Sequence, residues 1–104
     1  MTDDIALFEL RSYHLLTGME ERFAEHVRTV RMPIYARLGW RCDGFWTGDD
    51  DPTRVYYLLR WTSLDERAAK RAALAADPEW RAWRDSHPEP LVDDFRTTVM
   101  TRAA

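Results

Sequence analysis

Residues 17–39, TGMEERFAEHVRTVRMPIYARLG, predict one long helix against which the other elements pack. Their apolar side chains recur at steps of three and four residues, the spacing that keeps one face of a helix turned inward. The remaining segments are shorter and are typical of strands or small helices, so we expect this helix to cover a sheet. The inward positions are Met19, Phe23, Val27, Val30, Ile34 and Leu38.

Both ends of this helix, and one interior position, carry specific signals. Thr17 and Glu20 have the spacing of a capping box, in which each side chain accepts an otherwise unpaired backbone amide. Gly39 is placed to end the helix in the left-handed conformation. Pro33 has no amide hydrogen to donate to the carbonyl four residues earlier, so we predict a kink or a restart near Met32.

The composition indicates a single domain over residues 1–104 with more aromatic surface than a small core hides. The chain is 45% hydrophobic, with five Trp, four Tyr and four Phe, so we expect some of them in an interface or a pocket. A net charge of −3 gives no basic surface for nucleic acid. The lone Cys42 and an acidic N-terminus without a signal-peptide pattern favour the cytoplasm. No apolar run approaches the roughly 20 residues that span a bilayer.

Segments rich in β-formers predict four strands, and two capping signals predict two further helices. Ser63 begins a helix that runs to about Ala76, and Asp77 with Pro78 begins a short helix that ends before His87. The predicted strands are Ile5–His14, Arg41–Thr47, Arg54–Trp61 and Leu91–Thr101.

The order β-α-β-β-α-β predicts an α+β, ferredoxin-like fold with a four-stranded antiparallel sheet in the order 4-1-3-2. The helices that connect the strands then lie on one face of the sheet, and the other face is left uncovered. An uncovered apolar face favours a partner, so we predict a homodimer that packs sheet on sheet, with a tetramer as the alternative. On the first strand we expect Phe8, Leu10 and Ser12 to face the helices, and Leu7, Glu9, Arg11 and Tyr13 to face the uncovered side.

Several short motifs, in this order along the chain, resemble those of the NIPSNAP family. The resemblance spans nearly the whole chain, and its first and last motifs are fairly specific in combination. Ser12 stands where Thr is commoner. The motifs are Phe8-Glu9-Leu10-Arg11-Ser12-Tyr13, Gly18 before Arg22-Phe23, Pro33, Gly39, Gly44-Phe45-Trp46, Ser63-Leu64 with Glu66-Arg67, and Leu74-Ala75-Ala76-Asp77-Pro78-Glu79-Trp80.

This resemblance implies a dimeric α/β-barrel, in which two ferredoxin-like sheets close face to face. The wider superfamily includes cofactor-free monooxygenases, haem-degrading and haem-dependent enzymes, and stress-responsive proteins. Pockets in that superfamily commonly lie between a subunit's sheet and its helices. The family name itself implies no particular reaction.

His26 is the candidate catalytic residue. It lies at the flank of the inward face of the long helix, where an imidazole in a pocket could transfer protons near neutral pH. The structural alternative is a boundary histidine that bonds to a carbonyl or reaches solvent.

Glu9 and Arg11 share one face of the first strand. Arg11 could orient an anionic or carbonyl substrate, and Tyr13 could donate a hydrogen bond to it. We favour the structural alternative, in which Glu9 and Arg11 form an ion pair inside the dimer interface.

Four aromatic residues, Tyr35, Trp46, Tyr57 and Trp61, are candidate walls of a cavity for a flat or apolar ligand. Aromatic clusters more often lie in a core or an interface. The three histidines, His14, His26 and His87, have no paired metal-ligand spacing, so we predict no metal and no cofactor. Haem ligated by His26 is the alternative.

Two functional hypotheses follow. The first is a homodimer that binds a small, partly apolar metabolite between sheet and helices, and acts on it without a cofactor by proton transfer or oxygen insertion. Here His26 is the acid or base, Arg11 and Tyr13 orient the ligand, and the four aromatic residues form the walls. The second is a non-catalytic homodimeric stress-response or interaction module.

Overall fold

The computed structural model describes residues 4–87 and 90–104. Its four strands form one antiparallel sheet in the order β2-β3-β1-β4, which confirms the predicted order read from the opposite edge. The elements in chain order are β1 (Leu7–Leu15), α1 (Glu20–His26), a π-helical turn (Val27–Arg31), α2 (Met32–Arg37), β2 (Arg41–Thr47), β3 (Arg54–Trp61), α3 (Leu64–Ala76), α4 (Pro78–Ser86) and β4 (Val92–Thr101).

The two later helices begin where their capping signals predict. The Ser63 hydroxyl accepts the amide of Glu66 at 3.0 Å, and the Asp77 carboxylate accepts the amide of Trp80 at 2.9 Å. Each bond satisfies a backbone donor that the first helical turn leaves unpaired. These caps fix the positions of α3 and α4 on the same sheet face as the first helix.

The predicted capping box at the start of the first helix is wrong. The helix begins at Glu20, and no side chain caps it. Gly18 has a φ of +81°, and the amide of Met19 donates to the carbonyl of Leu16, so Thr17 lies in a separate turn. Gly39 ends the helix at a φ of +76°, as predicted.

The break predicted near Met32 is confirmed, and it takes the form of a π-helical turn. The amide of Met32 donates to the carbonyl of Val27, five residues back. Pro33 has no amide hydrogen, so a regular α-helical ladder cannot continue through this position. On a regular α-helix, residues five apart point about 140° away from each other. The wider turn instead brings His26 and Arg31 into contact.

The predicted faces of β1 are reversed in the structure. Glu9, Arg11 and Tyr13 face the helices, whereas Leu10 is exposed on the other side. Glu9 accepts from Arg67 and Tyr13 accepts from Arg31 behind the sheet, and these bonds make the burial of their polar atoms tolerable. The expected ion pair of Glu9 and Arg11 is present at 3.7 Å, but its predicted location in a sheet-to-sheet interface is wrong, because both residues lie on the helix side.

β2 contains a β-bulge between Cys42 and Phe45, which shifts the alternation of its side chains by one position. Gly44, at a φ of +140°, lies in the bulge. Phe45 then lies opposite Tyr57 on the helix side, and Trp46 lies opposite Tyr56 on the outer side. We call the sheet face that carries no helix the outer face.

Glu9 is a fully buried carboxylate between the sheet and α3. It accepts hydrogen bonds from Arg67 Nε at 2.8 Å and Trp61 Nε1 at 3.0 Å, and Arg11 and Arg71 lie 3.7 Å away. Burial alone would raise the pKa of Glu9, but the bonds from Arg67 and Trp61 outweigh it and hold the pKa below its ordinary value.

We expect Glu9→Gln to lower the free energy of unfolding by about 3 kcal/mol at pH 7, because it removes the buried carboxylate that pairs with the partly buried guanidinium groups of Arg67 and Arg11. Urea unfolding of the two proteins measures this difference. Since the pKa of Glu9 is lowered on folding, the difference is fully present above about pH 5 and shrinks as the pH falls below about 4. The exposed Glu21→Gln is the matched control, and an equal loss in that variant would contradict the assignment.

Candidate functional site

Arg31, at the end of the π-helical turn, lies at the centre of the candidate site. Its Nη1 donates to the hydroxyl of Tyr13 at 2.8 Å, and the hydroxyls of Tyr57 and Tyr35 lie 3.3 and 3.5 Å from the same nitrogen. These tyrosines come from β1, β3 and α2. The site is therefore built by the first helix packing onto the two central strands.

Tyr13 and Tyr57 share a hydrogen bond of 2.6 Å between their hydroxyls. Burial raises the pKa of Tyr57 well above its ordinary value, so Tyr57 is the donor. Burial also acts to raise the pKa of Tyr13, but the positive charges of Arg31 and Arg11 outweigh it and lower this pKa. The Tyr13 oxygen thus accepts two hydrogen bonds and is the phenol most readily ionised here.

His26 is buried and contacts Arg31 through a ring nitrogen. Arg31 Nε donates to His26 Nε2 at 3.1 Å, which places the ring proton of a neutral imidazole on Nδ1. Burial, together with the charges of Arg31 and His87, lowers the pKa of His26 to about 3. Nδ1 has no hydrogen-bond partner among the described residues. His26 is therefore a neutral donor near pH 7, held against the ring of Trp83 at 4.1 Å.

Arg11 brings a second guanidinium to the same place. Its central carbon lies 5.8 Å from the ring centre of Tyr13 and 5.6 Å from that of Tyr57, and the guanidinium carbon of Arg31 lies 5.3 Å from the Tyr13 ring. Cations at such distances from aromatic rings are attracted by the ring quadrupole. The Nε of Arg11 is buried and makes no hydrogen bond within the described chain.

These groups surround a cavity of about 290 Å³ between the sheet and the helices. We call it the arginine cavity. It adjoins an open cleft of about 990 Å³ between the first helix and the end of α4, and His26, Trp83 and His87 line both. The lining of the arginine cavity comprises Arg11, Tyr13, Phe23, His26, Arg31, Trp83, His87, Pro90, Leu91, Val92 and Phe95.

The structure brings together only part of the predicted site. Arg11, Tyr13 and His26 line the arginine cavity, while Tyr35 and Tyr57 lie behind it with their hydroxyls toward Arg31. Trp61 belongs to the core instead, where its indole bonds to Glu9. Trp46 is 52% exposed on the outer face, so its prediction as a cavity wall is wrong, because the bulge in β2 turns it outward.

Sequence reasoning missed Arg31 and the wall formed by Trp83. Arg31 lies two residues before Pro33 and five residues after His26. On a regular α-helix, side chains five residues apart do not contact each other, so the sequence provides no reason to pair Arg31 with His26. The proline was the available signal, since π-helical turns inside helices often occur at functional sites. Trp83 packs against the ring of His26, with the two ring centres 4.1 Å apart.

The donor set does not fit a metal or haem. The described residues contain no cluster of three or more His, Cys, Asp or Glu side chains that could hold an ion. His26 Nε2, the nitrogen with a free lone pair, already accepts from Arg31, and a cation would meet two guanidinium groups. The arginine cavity is suited instead to an electron-rich organic group.

The fold and this cavity define an α+β protein of the ferredoxin-like type with a polar cluster between sheet and helices. The NIPSNAP family model matches residues 8–104, and the chain belongs to that family. No curated protein shows significant sequence similarity to it. No helix in the described segments is long and apolar enough to cross a membrane.

Solved structures agree with this assignment. A NIPSNAP family protein from Agrobacterium tumefaciens has a TM-score of 0.86 at 23% identity, over 99% of this chain and 90% of that one. An uncharacterised NIPSNAP domain protein from Burkholderia xenovorans has a TM-score of 0.83 at 27% identity, over 94% and 95%. A putative antibiotic biosynthesis monooxygenase from Nitrosomonas europaea shares the fold, with a TM-score of 0.68 at 16% identity, over 94% and 99%.

We expect an ultraviolet titration to resolve one of the four tyrosines as ionising below the ordinary phenolic value of about 10. Tyr13→Phe should remove that transition, because Tyr13 is the phenol that two guanidinium groups stabilise as an anion. Tyr56→Phe, on the outer face, is the control and should leave the transition in place. Persistence of the early transition in Tyr13→Phe would assign it to another residue.

Proposed function

We propose that this chain is a cytoplasmic homodimer that binds a small, partly apolar metabolite in the arginine cavity. We propose further that it acts on this ligand without a resident cofactor, by proton transfer or by insertion of oxygen. The cavity volume of about 290 Å³ is at the lower end of ligand pockets, and the adjoining cleft gives a way in.

The observation that carries this proposal is that Arg11, Arg31 and His26 line one cavity and that two of their buried nitrogen atoms make no hydrogen bond to the described residues. Arg11 Nε and His26 Nδ1 are buried and make no hydrogen bond in the part of the chain that is described. Such atoms cost free energy unless something pairs with them. Aromatic rings, Phe23 and Trp83 among them, line the remaining wall. A ligand with one polar end and one flat apolar part would satisfy both.

The proposed chemistry assigns a different role to His26 than the sequence did. With a pKa of about 3, His26 supplies a hydrogen bond through Nδ1 and does not act as a base near pH 7. We assign proton acceptance to Tyr13, whose pKa is lowered by Arg31 and Arg11. The two guanidinium groups would then stabilise negative charge that develops on the ligand when Tyr13 takes its proton.

The outer face supports the homodimer. Leu10 is 38% exposed and Trp46 is 52% exposed there, and no helix in the described segments covers them. Charged residues surround them, including Arg60 paired with Asp43 at 3.0 Å. An apolar centre with a charged rim is the usual anatomy of a protein interface, and a two-fold contact lets one such surface pair with itself.

We expect Leu10→Arg to convert the dimer to a monomer, because it buries an unpaired charge at the centre of the contact. Size-exclusion chromatography with light scattering gives the molar mass directly. Leu64→Arg is the matched control, since Leu64 is 61% exposed at the start of α3, on the opposite side of the sheet. A monomeric wild-type protein would contradict the homodimer.

Native mass spectrometry of the freshly purified protein tests the ligand. We expect a dimer with additional non-covalent mass that is absent from the denatured protein, and Trp83→Ala should lose that mass while staying dimeric. Trp46→Ala, on the outer face, should keep it. A dimer that never carries a small molecule, together with unchanged behaviour in Trp83→Ala, would favour the non-catalytic interaction module.

A further inference from the structure

Arg31 is a partly buried cation that forms no ion pair with a carboxylate in residues 4–87 and 90–104. Its hydrogen bonds go to three phenols and to the acceptor nitrogen of a neutral imidazole, and no carboxylate among the described residues forms an ion pair with it. Its Nη2 makes no hydrogen bond to any described residue. A guanidinium held away from water is costly unless an anion is near, and Arg is the side chain best shaped to pair with one.

Arg11 is in a similar position. Its Nε lies 3.7 Å from Glu9, but that carboxylate already receives hydrogen bonds from Arg67 and Trp61. Arg71 also lies 3.7 Å from Glu9. Among the described residues, three guanidinium groups, those of Arg11, Arg67 and Arg71, therefore share the carboxylate of Glu9, and Arg31 adds a fourth positive charge that has no carboxylate partner there.

This local excess of positive charge contrasts with the chain as a whole, whose net charge is −3. Two of the cations, Arg11 and Arg31, both line the arginine cavity and lie on the ring of the same tyrosine, Tyr13. Two like charges that line one cavity raise its positive potential, and a bound anion would compensate both. His26, a neutral imidazole whose Nδ1 makes no hydrogen bond to the described residues, lines the same cavity.

We propose that the ligand is an organic anion whose carboxylate or enolate oxygen lies between the guanidinium groups of Arg11 and Arg31, with its apolar body against Trp83. This inference rests on the proposed function and narrows its substrate class. A planar anion matches the fork of donors that two arginines present. Trp83, which stacks on His26 in the same wall, gives the apolar body a flat surface.

The probes are benzoate and benzamide, which have nearly the same shape and differ in charge. Each is titrated into ¹⁵N-labelled wild-type protein, and the indole signals of Trp80 and Trp83 report binding beside His26. We expect benzoate to shift these signals and to bind about tenfold or more tightly than benzamide, since charge-assisted bonds are roughly twice as strong as neutral ones. Bound benzoate should also raise the pH at which Tyr13 ionises, because it competes for the same positive charge.

Arg11→Met and Arg31→Met should abolish the preference for benzoate. Arg28→Met is the matched control, since Arg28 is an exposed arginine of the same π-helical turn. If Arg31→Met does not fold, Arg11→Met and the wild-type comparison still decide the question.

If both probes bind beside Trp83 with equal affinity, the proposal that the ligand is an anion is wrong, but the proposal that the cavity binds a ligand stands. A neutral compound recovered by native mass spectrometry would lead to the same conclusion. If neither probe shifts the Trp80 and Trp83 signals and no ligand mass is found, both the anion and the proposed function are overturned.

Discussion

The site depends on one backbone constraint, the missing amide hydrogen of Pro33. A regular helix would place His26 and Arg31 on different sides, but the π-helical turn before the proline lets Arg31 Nε reach His26 Nε2 at 3.1 Å. The same side chain then reaches Tyr13, whose hydroxyl lies 2.8 Å from Arg31 Nη1. One local break in a helix thus positions the central cation of the cavity.

Burial and the charge of Arg31 together set the protonation of the neighbouring groups. Burial, helped by Arg31, lowers the pKa of His26 and keeps it neutral, the charges of Arg31 and Arg11 lower the pKa of Tyr13, and burial raises the pKa of Tyr57 and leaves it as the hydrogen-bond donor. Glu9, the other buried charged group of this layer, is compensated by Arg67 and Trp61 and holds α3 on the sheet. The layer between sheet and helices therefore has two parts. Around Glu9 the charges are paired within the protein, and we regard this part as structural. Around Arg31 the side chains line a cavity, and we regard this part as functional.

The architecture could be predicted from sequence because its signals are local. Ser63 and Asp77 cap helices where expected, and the alternation in Arg54–Trp61 gives both the strand and its buried face. The candidate site could be predicted only in part. The faces of β1 were reversed because its polar residues are buried in pairs, which alternation of apolar and polar residues cannot reveal. Trp46 and Arg31 were misplaced or missed because a bulge and a π-helical turn each shift the residue periodicity by one position.

The most direct test of this account is to measure the protonation state of the His26 ring. Long-range ¹H–¹⁵N correlation spectra, recorded from pH 7 down to pH 4, give this state for each ring nitrogen. The structure predicts a neutral ring with its proton on Nδ1 and an unprotonated Nε2 throughout that range, because burial and Arg31 lower the pKa of His26 to about 3. A ring that becomes protonated near the ordinary value of about 6.5, or that carries its proton on Nε2, would contradict the contact with Arg31 on which the site is built.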